Sequence, residues 1–251
     1  MIAMMFAGLV LGGCAGGGLL SDIADRPAIK TAGSGVPAAW IYPAGPRSKV
    51  QAEFAPDSTE TEIGRVRTDV SAVVDDAMTV AVSRIEPAID EPLLRESTLV
   101  VGADGSISLA AVRSVENEAT GGSLRHFRYE PPLGFAPAVL EPGTVFESSA
   151  AMIQHRADDP ESVLLRGEVA RTSRLLSRDE IAELFGTDAP PELRGVLDVQ
   201  RIKLGPARVE QRTAKLIEPG VGAVVELEER TVRVFGLVTS SRSVLLKAID
   251  D

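Results

Sequence analysis

The chain has few of the residues on which disulfide-rich folds and reactive sites depend. It contains one cysteine, Cys14, with two histidines and one tryptophan in 251 residues, and aromatic residues make up 4% of the whole. A single cysteine excludes an intramolecular disulfide framework, so an apolar core must hold the fold. The shortage of aromatic residues argues against a carbohydrate-binding platform and leaves Val, Leu, Ile and Ala to pack that core.

Clusters of basic residues are also lacking. The chain has 26 Lys and Arg against 36 Asp and Glu, a formal net charge of −10. Binding to nucleic-acid phosphates requires clustered Lys and Arg, and so does a polybasic membrane-surface patch. We therefore expect no nucleic-acid partner, and any membrane contact should come from the N-terminus.

Candidate reactive groups are equally few. His126 and His155 lie too far apart in the sequence to suggest a zinc pair, and the acidic pair Asp158-Asp159 lacks the ligand spacing of a calcium loop. Gly33-Ser34-Gly35 lacks the flanking pattern of a nucleophile elbow. The sequence therefore predicts no metal site, no cofactor and no catalytic residue, and a protein that is not an enzyme.

The N-terminus has the pattern of a secretion signal. Residues 1–20 carry no charge, and residues 2–11 have the length and apolarity of a signal's central region. This stretch ends in Leu11-Gly12-Gly13-Cys14, which resembles the lipobox of bacterial lipoproteins. The resemblance implies cleavage before Cys14 and attachment of acyl chains, palmitate among them, to that cysteine. Two or more chains give a stable anchor because each buried methylene contributes about 0.8 kcal/mol. An uncleaved transmembrane helix is the alternative, although its glycines disfavour it.

The lipoprotein resemblance also implies a location and an order of domains. In cells with two membranes, an Asp after the lipidated cysteine retains a lipoprotein at the inner membrane, and this chain has Ala15 there. We therefore expect the cell envelope, at the outer membrane facing the periplasm. The predicted units are a signal peptide over residues 1–13, the lipidated cysteine with a flexible Gly- and Pro-rich tether over 14–48, and an antiparallel β domain over 49–251.

Alternating or aliphatic runs predict most of the β domain as strands. The turns between them are short, which favours antiparallel pairing because parallel crossovers need a dozen or more residues. A competing helical pattern over residues 63–77 is disfavoured by its β-branched residues. Trp40 and Tyr42 in the tether either pack on the domain or stay exposed. The predicted strands are 62–74, 78–82, 98–101, 106–115, 123–129, 144–155, 162–173, 196–204, 207–217, 223–228, 231–239 and 243–248.

One helix is indicated among the strands. Ser177-Arg178-Asp179-Glu180 has the capping-box pattern, and Ile181, Leu184 and Phe185 form an apolar stripe. Gly186 is expected to end the helix. Because the helix is short, tertiary packing must hold it, and we expect it to cover one end or the concave face of the sheet.

Two groups of turn residues resemble those of an uncharacterised group of envelope proteins. In that group a Pro-Pro-Leu run precedes a Pro-Gly strand start, here Pro131-Pro132-Leu133 and Pro142-Gly143. A later Pro-Gly-x-Gly opens another strand, here Pro219-Gly220-Val221-Gly222. These proteins are similar in architecture to the periplasmic lipoprotein carriers LolA and LolB. The resemblance implies a mainly β fold in which a strongly curved antiparallel sheet forms a half-barrel, with one short helix packed on it.

The expected function is that of a non-catalytic envelope lipoprotein attached to the membrane through acyl chains on Cys14. An apolar concave face would bind or carry a lipid or another apolar ligand. The alternative is a structural or assembly lipoprotein whose sheet edge or acidic face binds another envelope protein. An apolar cavity would favour the first hypothesis, and a core filled by side chains would favour the second.

Overall fold

The structure is a computed structural model of the chain. It describes residues 19–29, 34–43, 45–55, 58–85, 93–116, 123–156, 159 and 161–249. The predicted lipobox residues, Leu11, Gly12, Gly13 and Cys14, lie outside the described residues. Among the residues that are described, no helix is long and apolar enough to cross a membrane.

Strands make up most of the described chain, which confirms the prediction of a mainly β protein. The helices are α1 (Leu19–Ala24), α2 (Ala38–Ile41) and α3 (Arg178–Phe185). The strands are β1 (Val36–Pro37), β2 (Arg47–Ala55), β3 (Ser58–Val70), β4 (Ala77–Ile85), β5 (Leu93–Val101), β6 (Ile107–Glu116), β7 (Ser123–Ala136), β8 (Val139–Leu140), β9 (Val145–His155), β10 (Val163–Leu175), β11 (Arg194–Leu204), β12 (Ala207–Glu218), β13 (Gly222–Val234) and β14 (Leu237–Ala248).

Twelve of the strands form a closed antiparallel barrel in chain order. Each of these strands pairs with the next one along the chain, except that β7 pairs with β9, and β14 pairs with β2 to close the wall. The prediction of a half-barrel was therefore wrong, because the first and last strands of the wall meet. We call this closing ladder the seam, and in it Leu245–Ala248 pair with residues of β2 from Phe54 back to Gln51.

Apolar residues from the predicted tether fill one end of the barrel interior. The two-stranded sheet of β1 and β8, together with α2, forms a plug whose Val36, Ile41 and Leu140 are buried. These residues pack in one cluster with Leu99 of β5 and Val196 of β11. Because β5 and β11 stand far apart around the wall, only a segment inside the barrel can join them in one cluster.

The predicted tether over residues 14–48 thus includes packed segments as well as the residues that are not described. Trp40 and Tyr42 are partly buried against the same core, which decides the alternative that the sequence left open. Helix α1 lies elsewhere, with Leu20 and Ile23 completely buried in a second apolar cluster.

This second cluster covers the outer face of the barrel wall over β11–β14. Residues alternate between the two faces of a strand, and Leu197 of β11 packs against α1 and α3, whereas its neighbour Val196 faces the plug. Helix α3 has the predicted capping box at Ser177 and ends at Gly186, so the helix prediction is confirmed. The helix was expected to cover one end or the concave face of the sheet. The concave face is wrong, because the apolar stripe of α3 packs in the outer cluster with Leu197 and Leu216. The approach is close: a Cβ on Gly195 would lie 2.8 Å from Ile181 Cγ1.

Some strand boundaries also differ from those predicted. The predicted break near Glu229-Arg230 does not exist, because β13 runs through it to Val234. The hairpin turn lies instead at Phe235-Gly236, where φ is 50° and 83°. Two successive positive φ values are typical of the type I′ turn that matches strand twist. Strand β2 was missed altogether, because its sequence RSKVQAEFA alternates too weakly to stand out from the tether.

Candidate functional site

The predicted turn residues lie at tight turns at one end of the barrel. Thr144 N donates to Glu141 O across Pro142-Gly143, and Val221 N donates to Glu218 O across Pro219-Gly220. In both turns the glycine has positive φ, 75° at Gly143 and 78° at Gly220, as position three of a type II turn requires. Gly222 follows at the start of β13 with φ 96°. These residues shape turns, and nothing in their surroundings gives them a chemical role.

The two histidines are brought together by the fold. His126 of β7 and His155 of β9 are directly opposed in the antiparallel ladder, and their ring centroids are 6.1 Å apart. The prediction that excluded a histidine pair rested on their separation in the sequence, which strand pairing removes. Among the described residues no group of three or more His, Cys, Asp or Glu side chains is placed to hold a metal ion.

A cluster of charged side chains lies inside the barrel beside the plug. Asp198 of β11, 4% exposed, is 2.7 Å from the Arg171 guanidinium of β10 and 3.2 Å from Lys215 Nζ of β12. Ser173 Oγ donates to Asp198 Oδ1 over 2.6 Å. Lys215 is directly opposite Val196, which faces the plug, so the cluster shares the inner face of the wall. We call Arg171, Asp198 and Lys215 the luminal charge cluster.

Aromatic residues cover this cluster. The Arg171 guanidinium lies 3.9 Å from the centroid of the Phe135 ring, and Lys215 Nζ lies 5.5 Å from that of Tyr42. The two rings contact each other at 5.5 Å. Tyr42 comes from the segment after α2, so the plug forms part of the surroundings of these charges. Cation–π contacts of this kind stabilise a desolvated cation by about 1–2 kcal/mol.

The charges in the cluster hold one another ionised. Burial acts to raise the pKa of Asp198, but Arg171, Lys215 and the Ser173 hydroxyl outweigh it and lower the pKa below its ordinary value. Burial acts to lower the pKa of Lys215, and the Tyr42 oxygen, Asp198 and Glu226 together raise it instead. Ionised partners fixed this closely form a structural network.

Further charges occupy the inner face nearer the seam. Glu53 of β2 is 3% exposed and accepts a hydrogen bond from Arg242 of β14. Gln51 Nε2 donates to Glu226 Oε1 over 3.1 Å, and Lys49 Nζ donates to the Ala223 carbonyl. The described inner face therefore combines an apolar plug at one end with charged and amide side chains, rather than a continuous apolar surface.

A groove of about 730 Å³ lies on the outer wall over β7 and β9–β13. Its floor includes the small residues Ser149, Ala151 and Ala170. Charges of both signs line it and pair with one another, as Arg201 and Glu210 do at 3.4 Å. The groove therefore mixes small and apolar side chains with paired charges, and it lacks the uniform charge of an anion site.

The hairpin of β13 and β14 projects beyond its neighbour β2. Strand β14 pairs with β13 from Leu237 to Lys247, yet among the described residues it pairs with β2 only over Leu245–Ala248. Residues Leu237–Val244 therefore have a described ladder partner on one side only, and we call them the free edge of β14. At its tip Phe235, Leu237 and Val238 are 84%, 73% and 58% exposed.

The sequence signals for these features were present but ambiguous. Arg171, Asp198 and Lys215 stand at the same strand parity as Val169, Val196 and Ile217, which marks them as inward-facing once the register is known. Without the register, a charged residue in a strand is most simply taken to face solvent. No family model, no curated protein and no solved structure matches this chain.

Proposed function

We propose that this protein is a membrane-anchored, non-catalytic lipoprotein of the cell envelope that binds a partner protein through the free edge of β14. The anchor is Cys14, on the strength of the Leu11-Gly12-Gly13-Cys14 pattern. The free edge is the observation that carries the binding role. It offers a row of backbone N–H and C=O groups to which an extended segment of another protein adds as a strand.

The residues around the free edge favour an interaction surface over a protected edge. Natural edges are blunted by lysines, prolines or inward-pointing charges. Leu237–Val244 contain no lysine and no proline, and their one inward-pointing charge, Arg242, is already paired with Glu53. A bulge at Thr239, where the register with β13 shifts, leaves Ser240–Val244 as a regular stretch. The exposed Phe235 and Leu237 at the tip add apolar contacts for one end of the added strand.

The inner face supports this binding role more than lipid carriage. An acyl chain needs an apolar lining, whereas the described inner face presents Asp198, Lys215 and Glu53 beside a packed plug. Lipid binding stays a prediction from the resemblance to the LolA and LolB carriers. That the protein is not an enzyme stays a prediction from the sequence.

Site-specific photocrosslinking in intact cells tests the proposal. A photoreactive residue at Ser241, on the free edge, should trap one dominant partner protein. The same residue at Glu168, which is 77% exposed on a strand paired on both sides, is the matched control and should trap none. A product at twice the mass of the chain would identify a second copy as the occupant and would contradict a distinct partner.

Proline substitutions at neighbouring positions sharpen the test. Backbone N–H groups alternate in direction along an antiparallel strand, so one of Ser240→Pro and Ser241→Pro removes an outward N–H and the other a ladder N–H. The variant that keeps its wild-type melting temperature should lose the crosslink from a probe at Val238. Full crosslinking by that variant would show that the partner does not pair with the edge.

A further inference from the structure

The histidine pair on the outer face of β7 and β9 has no part in the edge interaction, and its geometry is that of a chelating site. Directly opposed residues of an antiparallel ladder project from the same face with Cβ atoms about 4.5–5.5 Å apart. His126 and His155 are such a pair. Their ring planes are inclined by 52° and their centroids are 6.1 Å apart.

These distances suit a shared metal ion. With metal–nitrogen bonds of about 2.0–2.1 Å, two imidazoles on one ion have centroids roughly 5 Å apart at a tetrahedral angle and roughly 6.5 Å apart at a linear one. The observed separation of 6.1 Å falls inside that interval. A small rotation about the side-chain bonds of the half-buried His126 would bring the angle closer to tetrahedral.

The environment leaves the ring nitrogens available as ligands. His155 is 3% exposed, and neither its Nδ1 nor its Nε2 has a hydrogen-bond partner. Buried polar atoms without partners are uncommon and costly in native proteins. Burial and the neighbouring His155, Arg113 and Arg128 lower the pKa of His126.

The cations beside the pair are already matched by carboxylates. Arg113, directly opposite His126 on β6, is 3.2 Å from Glu96. Arg128 is 2.7 Å from Glu130. These pairs reduce the repulsion that an arriving dication would meet. A metal ion would approach from the half-buried His126 side, because His155 is covered.

We propose that His126 and His155 together bind one divalent transition-metal ion of the Cu²⁺, Ni²⁺ or Zn²⁺ class. Imidazole nitrogens suit these ions. The protein supplies two ligands and water completes the coordination, so the bound ion is exchangeable and does not hold the fold together. This site is independent of the proposed partner binding.

Calorimetric titration of the full chain with CuSO₄ and with ZnCl₂ at pH 7.5 tests this proposal. The parent and all variants carry Cys14→Ser, so that no thiol contributes to metal binding. We expect one equivalent of ion to bind, with His126→Ala and His155→Ala each weakening binding at least tenfold. The double variant should bind no more tightly than either single variant, because the two ligands act on one ion.

Controls separate the site from general damage. Arg128→Ala keeps both ligands and removes a nearby cation, so its affinity should equal or exceed that of the parent. Should His155→Ala fail to fold, His126→Ala alone decides, because His126 is half-buried. Electron paramagnetic resonance of the Cu²⁺ form should show nitrogen ligation that His126→Ala reduces. Unchanged affinity in His126→Ala, or no binding by the parent, would overturn the proposal.

Discussion

Asp198 illustrates how strongly a single side chain can matter in this barrel. Its carboxylate is buried, and it is matched by Arg171, Lys215 and the Ser173 hydroxyl. Removing one member of a buried ion pair is expensive because the remaining charge stays desolvated. The cluster therefore stabilises the fold only as a complete set.

We expect Asp198→Asn to lower the free energy of unfolding by about 3–5 kcal/mol, because Arg171 and Lys215 lose their buried counter-charge. Urea denaturation followed by circular dichroism measures the change. Glu168→Gln is the control, since Glu168 is 77% exposed and its ion pair with Lys203, at 3.8 Å, lies on the surface. We expect its free energy of unfolding to change by no more than about 0.5 kcal/mol. Equal effects in the two variants would show that the cluster is not important for stability.

Asp198 also makes the stability of the fold depend on pH. The pKa of Asp198 is lower in the folded protein than the value of about 3.9 in an unfolded chain. Its contribution to stability is therefore complete above that value and is lost as the pH falls through the folded pKa. Denaturation curves measured from pH 6 downward should show that the free energy of unfolding falls more steeply with decreasing pH in the wild type than in Asp198→Asn. A parallel loss would assign acid sensitivity to other carboxylates.

At the residue scale, the features that depend on local chemistry could be predicted from the sequence. The capping box at Ser177 depends on four consecutive residues and could be identified from the sequence alone. The pairing of His126 with His155, and of Asp198 with Lys215, depends on which strands become neighbours. No local pattern in the sequence contains that information.

At the scale of elements, α3 ties three parts of the chain together. Arg174 at the end of β10 donates to both carboxylate oxygens of Glu180 in α3, at 3.0 and 2.7 Å, and to the Ile23 carbonyl of α1 at 2.7 Å. Glu180 also accepts from Ser177 N over 2.8 Å, so the capping residue and the ion pair share one carboxylate. The cap is therefore part of the attachment of α1 and α3 to the wall.

We expect Ser177→Ala to lower the free energy of unfolding by about 1 kcal/mol, because Glu180 N loses its side-chain acceptor at the helix N-terminus. Urea denaturation of the full chain provides the measurement. Asp188→Asn, at an exposed position after the helix, should leave stability unchanged. A Ser177→Ala protein as stable as its parent would mean that packing against Leu197 alone holds the helix.

Elements were predictable from the sequence where alternation was strong. Strands β9 to β12 were placed to within a few residues, because their aliphatic positions alternate over long runs. Strand β7 was predicted to end at residue 129, but it continues through Pro131-Pro132 to Ala136, with only a shift in its register with β6 between Leu109 and Ala111. The break between β13 and β14 was misplaced because Phe235-Gly236 is a less familiar turn pair than the Glu229-Arg230 polar step.

For the whole molecule, the difference between a half-barrel and a barrel depends on the seam. The outermost strands, β2 and β14, lie at opposite ends of the domain sequence, and only Leu245–Ala248 pair with β2. Neither strand carries a pattern that specifies the other as its partner. Closure was therefore outside what composition, periodicity or turn residues can predict.

The proposed membrane attachment is also tested on the whole molecule. We expect Cys14→Ser to move the protein from the membrane pellet to the soluble fraction, because no acyl chain can then be attached. Cell fractionation with a high-salt wash measures this. Ala15→Asp is the matched neighbour: it should keep the protein on membranes and, in a cell with two membranes, shift it to the inner one. Retention of Cys14→Ser at the membrane would favour an uncleaved transmembrane segment.

The seam also has a consequence for how the chain folds. Every other ladder of the wall joins strands that are consecutive or separated only by the short β8, and each closes a comparatively short loop. The seam closes a loop that spans nearly the whole domain, so its entropy of closure is the largest of any ladder. Local ladders form faster than long-range ones. In kinetic terms, we expect the hairpins of this meander to form first, and the pairing of Leu245–Ala248 with β2 to be the step that commits the chain to a closed wall.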